Sequence, residues 1–336
     1  MNAARLTLAS TCIALFAVAA WPELVASARD QVVLGSGAHR YEWVKGWGEL
    51  PAGMSLGNTH GCVIVDRQER VYMNTDTENA VIVFSREGKF IKAWGKELAG
   101  GLHGMCIVTE GDKEFLYMTH LGRHEALKAT LDGEILWTLP WPEEAHLYAN
   151  AGEYAPTSIA VAPDGTMFVA DGYGKSWIHQ YDKERKYVRS FGGPGSDVGK
   201  LATPHGLWMD MRGDKPVLQV ADRENHRVQS FDLEGRSLGV IATDLRRPCH
   251  MHQRAGETVV ADLAGRISLF DAKNALIEHL GDNPDPALRA QNGVPREKWK
   301  DGEFLSPHCA RFDSRGDIYV LDWNSLGRIS KLRRVD

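Results

Sequence analysis

Three histidines occupy matching positions in the sequence and could together bind one metal ion. They stand in similar local contexts: Leu102-His103-Gly104, Pro204-His205-Gly206 and Pro307-His308-Cys309. Three imidazoles that converge on one point, with a fourth position open to water, form the ligand set of a catalytic zinc site. The sequence therefore predicts a zinc centre on these three histidines. Imidazoles also accept copper or iron, so the residue types favour zinc without excluding those metals.

Two further residues could do chemistry beside such an ion. Tyr173 follows the sequence Asp171-Gly172, and Arg223 directly follows Asp222. A tyrosine near a metal ion can act as a general base if its pKa is depressed, and an arginine can bind a carboxylate through two hydrogen bonds. The alternative is that both aspartates brace the fold and that Tyr173 and Arg223 are ordinary neighbours.

An internal repeat positions these residues. A proline or glycine segment leads into an apolar strand, then into a strand that ends in aspartate, and then into two more short strands separated by glycine turns. Copies that start at 60, 103, 157, 205, 249 and 308 lie 43, 54, 48, 44 and 59 residues apart. Six four-stranded units at this spacing predict an all-β fold, a six-bladed β-propeller.

The first strand of each blade lines the central channel of a propeller. The equivalent position in the six copies is held by His60, His103, Thr157, His205, Cys249 and His308. The three predicted ligands come from blades two, four and six, which are related by about 120°, so their rings can meet on the axis. The alternative is that each histidine bonds only within its own blade.

Three other residues are additional candidates for the channel. His60 and Cys249 hold the equivalent position in blades one and five, although a slip of one residue would exchange Cys249 for His250. His120 stands where other blades carry Asp171, Asp222 and Asp322. It could contact a ligand or a substrate, or it could brace its blade.

The two ends of the repeat region are incomplete in complementary ways. Residues 43–48 match the fourth strand of the first complete unit, 90–95, but no first three strands precede them. The last unit, which begins at His308, has three strands before the chain ends. We therefore expect an N-terminal strand to complete the last blade, which would close the ring and remove two exposed sheet edges.

The first 28 residues have the pattern of a secretory signal peptide, and the alternative is an uncleaved membrane anchor. Arg5 precedes an apolar run, and Ala26-Ser27-Ala28 offers small residues for cleavage. We expect residues 29–39 to be a linker, residues 40–336 to form the propeller, and the mature chain to be secreted or periplasmic without a membrane span. Disulfides are allowed in such a compartment, but spacing does not determine the pairing of Cys62, Cys106, Cys249 and Cys309.

Charge and composition exclude some functions. The 336 residues carry a formal net charge of −5, and no block or stripe of Lys and Arg occurs. The chain therefore lacks the electrostatic footprint of a nucleic-acid-binding protein. A small molecule or a peptide is the expected substrate, and the sequence does not determine an oligomeric state.

The motif 221–229, ADRENHRVQ, resembles an NHL repeat, and residues 50–333 resemble the six-bladed peptidyl-α-hydroxyglycine α-amidating lyases. The resemblance depends on Pro156-Thr157 with VADGY at 169–173, and on Pro204-His205 with ADREN at 221–225. It implies zinc on His103, His205 and His308, Tyr173 as the catalytic base and Arg223 as one of two active-site arginines. The implied reaction is the release of glyoxylate and an amide from a carbinolamide.

The chain departs from the family pattern at four positions. The second arginine would fall near Thr75-Asp76, where no basic residue occurs. Cys309 replaces the aspartate that supports a calcium ion, so calcium is not expected. Gly174 replaces a disulfide cysteine, and His60 adds a channel histidine. These changes imply that the metal site is retained and that substrate recognition has changed.

Two other functions fit the same fold. A non-catalytic NHL propeller would bind a protein, peptide or glycan through its rim loops, and the insertions at 140–155 and 282–304 are suitable loops, although they could also be plain surface loops. A lactonase-like hydrolase ranks last, because such sites use calcium held by carboxylates and this channel lacks carboxylates.

Overall fold

Each predicted repeat folds into an antiparallel sheet whose strands are paired in chain order. The computed structural model describes Met1 and residues 31–335; the rest of the predicted signal peptide lies outside the described residues. Blade 1 comprises Val63–Val65, Val71–Asn74, Val81–Phe84 and Phe90–Trp94. Blade 2 comprises Leu102–Glu110, Lys113–His120, Glu125–Thr130 and Ile135–Pro140, and blade 3 comprises Ser158–Val161, Met167–Ala170, Trp177–Tyr181 and Tyr187–Gly192.

The remaining three blades repeat this arrangement. Blade 4 comprises Pro204–Asp210, Val217–Asp222, Arg227–Phe231 and Ser237–Ala242, and blade 5 comprises Pro248–Arg254, Glu257–Asp262, Arg266–Phe270 and Leu276–Leu280. Blade 6 comprises Pro307–Phe312, Ile318–Asp322 and Arg328–Val335 from the end of the chain. Helical structure in the described part consists of short 3-10 turns at Lys96–Leu98, Glu143–Ala145, Ala151–Glu153, Arg223–Asn225, Pro286–Leu288 and Arg296–Lys298.

The first strands of the blades form a closed inner ring. Each first strand contacts the first strands of the blades before and after it, and the first strand of blade 6 contacts that of blade 1. The second and third strands are buried on both faces, because each sheet packs against its neighbours, whereas the fourth strands are partly exposed. The prediction of a six-bladed β-propeller is confirmed.

The N-terminal strand closes the ring as predicted. Arg40–Val44 pairs antiparallel with Arg328–Val335 and becomes the outer strand of blade 6. Val33–Leu34, within the segment expected to be a linker, adds a fifth strand at the edge of that sheet. The ring is therefore closed by backbone hydrogen bonds between the two ends of the propeller.

Side chains join blade 1 to blade 6 next to this closure. The Trp47 ring lies 5.4 Å from that of Phe84 and 5.0 Å from that of Tyr319. The Arg86 guanidinium of blade 1 pairs with Asp313 at 2.9 Å and Asp317 at 2.7 Å, both in blade 6. Among the described residues, no helix has the length and apolar character needed to cross a bilayer.

Candidate metal centre and adjoining cavity

The structure brings His103, His205 and His308 together. Their ring centroids lie 4.8 Å (His103 to His205), 4.8 Å (His103 to His308) and 4.6 Å (His205 to His308) apart. Each comes from the first strand of its blade, and none is more than 1% exposed. Three imidazoles from alternate blades thus meet within the inner ring.

Hydrogen bonding leaves a bare nitrogen on two of these rings. Nδ1 of His103 lies 2.7 Å from the carbonyl oxygen of Thr157, and Nδ1 of His308 lies 2.8 Å from that of Gly61. A carbonyl oxygen only accepts hydrogen bonds, so both Nδ1 atoms carry the ring proton and both Nε2 atoms carry a free lone pair. These two Nε2 atoms are buried without a hydrogen-bond partner. Histidines that bind metals have this arrangement, in which a carbonyl fixes the opposite ring nitrogen.

His205 presents the other ring nitrogen. Its Nε2 lies 2.9 Å from the Tyr173 hydroxyl, and its Nδ1 is buried without a partner. Burial lowers the pKa of His103, His205 and His308 well below the ordinary value, and nearby imidazoles or the Arg223 charge act in the same direction. All three rings are therefore neutral near pH 7, the state in which an imidazole binds a metal ion.

Two further candidates adjoin the triad. Ligand atoms of His60, His103 and His308 all lie within 4.8 Å of one another, as do those of His205, Cys249 and His308. Burial raises the pKa of the Cys249 thiol to about 12, so it is protonated at neutral pH when no cation is bound. His60 and Cys249 could therefore be additional ligands or close neighbours of an ion on the triad.

His250 also belongs to the channel. Pro248 pairs with Asp262 as Pro204 pairs with Asp222, so the strand register makes Cys249 the equivalent of His205. Nevertheless, the ring of His250 lies 5.0 Å from that of His205. A bulge follows the proline in each of these strands. The sequence feature that indicated His250 as a channel residue was the alternation of two histidines in His250-Met251-His252.

A cavity of about 360 Å³ adjoins the triad. It is lined by His60, Tyr173, Arg223, Arg247, Leu263, Ala290, His308 and Trp323. Ala290 belongs to the insertion 282–304, which therefore reaches the cavity. Several of the other lining residues follow the second strand of a blade, including Arg223 and Trp323, so the ends of these strands surround the opening.

Tyr173 makes three polar contacts in the wall of the cavity. Its hydroxyl lies 2.9 Å from His205 Nε2 and 3.2 Å from His60 Nε2, and it accepts a hydrogen bond from Arg223 Nη1 at 3.1 Å. Burial raises the pKa of Tyr173 to about 12, while the Arg223 charge and its hydrogen bond act to lower it. A cation on the neighbouring triad would add to that lowering.

The turn that carries Tyr173 is fixed by the preceding aspartate. Asp171 accepts hydrogen bonds from the backbone of Ala155 at 2.8 Å and of Lys175 at 2.6 Å, and from the Tyr148 hydroxyl at 2.7 Å. The Tyr173 amide in turn donates to the Ala155 carbonyl at 3.3 Å. Because Tyr148 and Ala155 belong to the insertion 140–155, this insertion positions Tyr173.

Two arginines provide the positive charge of the cavity. Arg223 Nε lies 2.9 Å and Arg247 Nη2 lies 2.6 Å from the same oxygen, Glu224 Oε1. Arg247 Nε is buried without a hydrogen-bond partner. One carboxylate thus faces two guanidinium groups, which leaves donors free for an anionic ligand. The sequence analysis did not identify Arg247 as a cavity residue. The feature that could have indicated it is its position directly before Pro248, the first residue of the blade 5 inner strand.

His120 does not line this cavity. It ends the second strand of blade 2, and its Nδ1 accepts a hydrogen bond from the Arg123 amide at 3.1 Å. A Cβ atom on Gly101 would lie 2.0 Å from His120 Cε1, so the ring packs directly beneath that loop. These contacts correspond to the bracing alternative and are like those of the aspartates at the same position in other blades.

Comparisons with known proteins agree with the resemblance found in the sequence. The chain is 31% identical over 159 residues to a Caenorhabditis elegans protein named as a peptidyl-alpha-hydroxyglycine alpha-amidating lyase, covering 45% of this chain and 42% of that protein. It is 32% identical over 256 residues to Drosophila melanogaster peptidyl-alpha-hydroxyglycine alpha-amidating lyase 2, covering 73% and 58%. It is 28% identical over 189 residues to mouse NHL repeat-containing protein 3, covering 53% of each.

Solved structures support the fold. A streptogramin B lyase superposes with a TM-score of 0.54 at 16% identity, covering 91% of both chains. Virginiamycin B lyase from Staphylococcus aureus gives 0.55 at 14% identity, covering 84% of this chain and 97% of that chain. No protein-family model matches the sequence. The chain spans about half the length of the curated relatives described above.

Proposed function

We propose that this protein, a six-bladed β-propeller that resembles the amidating lyases, is itself a metal-dependent lyase. The observation that carries the proposal is the convergence of three buried histidines, each with one unpartnered ring nitrogen. In the proposal His103, His205 and His308 hold zinc, Tyr173 is the base, and an anionic group of the substrate binds the arginines. When bound, zinc would polarise the hydroxyl or the carboxylate of the substrate.

The reaction follows from the chemistry of a carbinolamide that bears a carboxylate. Tyr173 removes the proton of the substrate hydroxyl, and the carbon–nitrogen bond breaks as the new carbonyl forms. The leaving amide nitrogen gains the proton that Tyr173 took up, so the reaction neither consumes nor releases a proton. The products are glyoxylate and a primary amide. General base catalysis by a group within hydrogen-bond reach contributes about 10²–10⁴-fold to such a step.

The hydrogen bonds around Tyr173 indicate where its own proton goes. If His205 uses Nδ1 as a ligand, its Nε2 carries the ring proton and donates to the phenol oxygen, as Arg223 also does. The phenol proton is then directed to His60 Nε2, at 3.2 Å. Burial lowers the pKa of His60 to about 4, so its ring is neutral and can accept. Because burial raises the pKa of Tyr173, the base depends on a cation at the triad.

Metal analysis tests the centre itself. We expect one transition-metal ion on the triad of the purified protein, and His205→Ala to lose it. His279→Ala is a matched control, because His279 lies on the outer strand of blade 5 and contacts Ser268. A wild-type protein refolded with excess zinc that leaves the triad without an ion, or equal metal contents of both variants, would disprove the proposed centre.

Arg247 tests the carboxylate site. Arg247→Gln removes a guanidinium that lines the cavity, whereas the neighbouring Arg246 pairs with Asp282 at 2.7 and 2.8 Å outside it. A charged hydrogen bond contributes about 1.5–3 kcal/mol, so we expect KM to rise about 10- to 100-fold in Arg247→Gln and to change little in Arg246→Gln. Glyoxylate release from a peptidyl-α-hydroxyglycine is the assay. Equal effects of the two variants contradict the assignment, and no release by the metal-loaded wild type rejects this substrate.

A non-catalytic NHL propeller is the second candidate function. The alignment with an NHL repeat-containing protein and the reach of the insertion 282–304 to the cavity favour it. Under this proposal, replacement of 282–304 by a short linker abolishes the binding of a peptide or glycan partner, and His205→Ala leaves that binding intact. Partner binding that survives the loss of 282–304 and is lost in His205→Ala supports the lyase.

We also propose export of the chain to the periplasm or the exterior. The basis is the apolar segment at 6–20 followed by small residues at 26–28. Fractionation of cells and N-terminal sequencing of the recovered protein test it. A cytoplasmic protein that retains residues 1–28 would reject the export proposal.

A further inference from the structure

A second cluster of metal-binding side chains lies in the inner ring next to the histidine triad and shares no residue with it. Cys62 directly precedes the first strand of blade 1, His250 lies in that of blade 5 and Cys309 in that of blade 6. One ring nitrogen and the two sulfur atoms all lie within 4.8 Å of one another. All three residues are buried. The ring closure therefore brings two thiols and an imidazole from three blades to one point.

Hydrogen bonding leaves a lone pair of His250 unused. Nδ1 of His250 lies 2.9 Å from the carbonyl oxygen of His308, so Nδ1 carries the proton. Nε2 is then a lone pair, and it is buried without a hydrogen-bond partner. An unpartnered buried polar atom costs about 1–3 kcal/mol, and a cation bound to Nε2 would offset that cost.

A buried positive charge lies beside the two sulfurs. The Arg311 side chain donates to the carbonyl oxygen of Val63 at 3.3 Å, and the Cys309 thiol contacts the same oxygen at 3.5 Å. Arg311 is 7% exposed, and no carboxylate of the described residues lies within 4.0 Å of its guanidinium. Sulfurs that bind a cation as thiolates would therefore have a positive charge close by.

We propose that Cys62, Cys309 and His250 bind a soft d10 cation, Zn²⁺ or Cu⁺, as a second and structural metal site. Thiolate and imidazole ligands select these ions. Binding forms two metal–sulfur bonds and one metal–nitrogen bond and releases the two thiol protons to solvent. Two thiolates neutralise Zn²⁺, while with Cu⁺ they leave one negative charge that Arg311 balances. The ion would tie blade 1 to blades 5 and 6.

A cation explains the cluster better than a disulfide does. A bond between Cys62 and Cys309 would use both sulfurs and leave Nε2 of His250 buried without a partner. A cation satisfies all three residues at once. Metal–sulfur distances of about 2.3 Å and metal–nitrogen distances of about 2.0–2.1 Å require only a small contraction from separations within 4.8 Å.

Metal stoichiometry and spectroscopy of the full chain test the site. The protein is stripped of metal under reducing, oxygen-free conditions and reloaded with Zn²⁺, Cu⁺ or Co²⁺. We expect two ions per wild-type chain with zinc, one in the Cys62→Ser/Cys309→Ser double variant, and two in Cys106→Ser, a control whose cysteine lies outside the cluster. Comparing the zinc-loaded with the copper-loaded protein identifies the preferred ion, because the preferred ion is removed more slowly by a chelator.

Co²⁺ reports the ligands directly and does not require the double variant to fold. Cys249→Ser removes the thiol that lies beside the triad. The wild type, Cys249→Ser and His205→Ala should all show thiolate-to-cobalt charge-transfer absorption. A single zinc ion in Cys249→Ser together with that absorption would support this site while the triad proposal fails, and loss of the absorption in Cys249→Ser would assign it to the triad instead. Absence of the absorption in the wild type, or an intact mass two hydrogens below that of the reduced chain, would overturn the proposed site.

Discussion

Trp47 should contribute strongly to the stability of the seam, the contact between blade 1 and blade 6 where the ring closes. It follows the N-terminal strand, is 8% exposed, and packs between Phe84 of blade 1 and Tyr319 of blade 6. Its Nε1 donates to the Arg86 carbonyl at 2.9 Å. Replacing a buried tryptophan by alanine costs about 3–5 kcal/mol, because the apolar area and the contacts are lost together. That is a large part of the 5–15 kcal/mol typical of a domain.

Two further variants separate the packing from the hydrogen bond. Trp47→Phe keeps an aromatic ring, and the Arg86 carbonyl still accepts from Lys331 Nζ at 3.0 Å, so we expect a loss of only about 1–2 kcal/mol. Trp177→Ala removes a half-buried tryptophan of blade 3, away from the seam, and should cost less than Trp47→Ala. Unfolding free energies from denaturant titrations provide the comparison. A Trp47→Ala loss equal to that of Trp177→Ala would refute the reasoning about the seam.

Two other predictions concern the ring and its outer edge. Gly206→Ala places a Cβ atom 2.2 Å from the Cys249 carbonyl of the next blade. We therefore expect the free energy of unfolding to fall by about 1–3 kcal/mol and metal analysis to show a lower zinc occupancy. Gly213→Ala is the control and should change neither quantity, because the nearest atom to its Cβ is 3.7 Å away. Burial alone would raise the pKa of Glu257, but Arg334 and a histidine hold that pKa below the ordinary value. The carboxylate therefore contributes stability above its unfolded-state pKa of about 4.3, and this contribution is lost as the pH falls through the lower folded-state pKa. Glu257→Gln should therefore destabilise by about 1 kcal/mol at pH 7 and by less at pH 3.5 in urea titrations, and an equal difference at both pH values would contradict this reading.

The fold was predictable because its two ends are incomplete in complementary ways. The segment at 43–48 resembles a fourth strand without a blade, and the last repeat lacks its fourth strand. Only closure of a ring pairs both edges, and the pairing of Arg40–Val44 with Arg328–Val335 is the result. The edge strand Val33–Leu34 was not predictable, because two residues carry no detectable period.

The contents of the channel were predictable only to within one residue. Register along the repeats places His103, His205 and His308 at one level, but the bulge in the first strands brings Cys249 and His250 to the channel together. Alternation along a regular strand would send one of these two side chains away. Strand periodicity therefore cannot predict neighbours at a bulge.

The arginines of the cavity show a different limit. The resemblance implies a second arginine near Thr75-Asp76, whereas the cavity of this chain is lined by Arg247 from the loop before blade 5. A long side chain reaches the opening from several points of the ring, so charge can be retained while its position in the sequence changes. Substrate recognition therefore has to be inferred from the cavity and not from the alignment.

Unpartnered nitrogens connect the fold to the proposed chemistry. The triad and His250 together bury four ring nitrogens without hydrogen-bond partners: His103 Nε2, His205 Nδ1, His250 Nε2 and His308 Nε2. At about 1–3 kcal/mol each, they cost a substantial part of the stability of an ordinary domain. Apolar side chains in their place would remove that cost, and bound cations would offset it because they bind the folded ring and not the separated blades. A ring closed by its N-terminal strand can hold such a cluster, since strands from every side fix the histidines before any ion arrives.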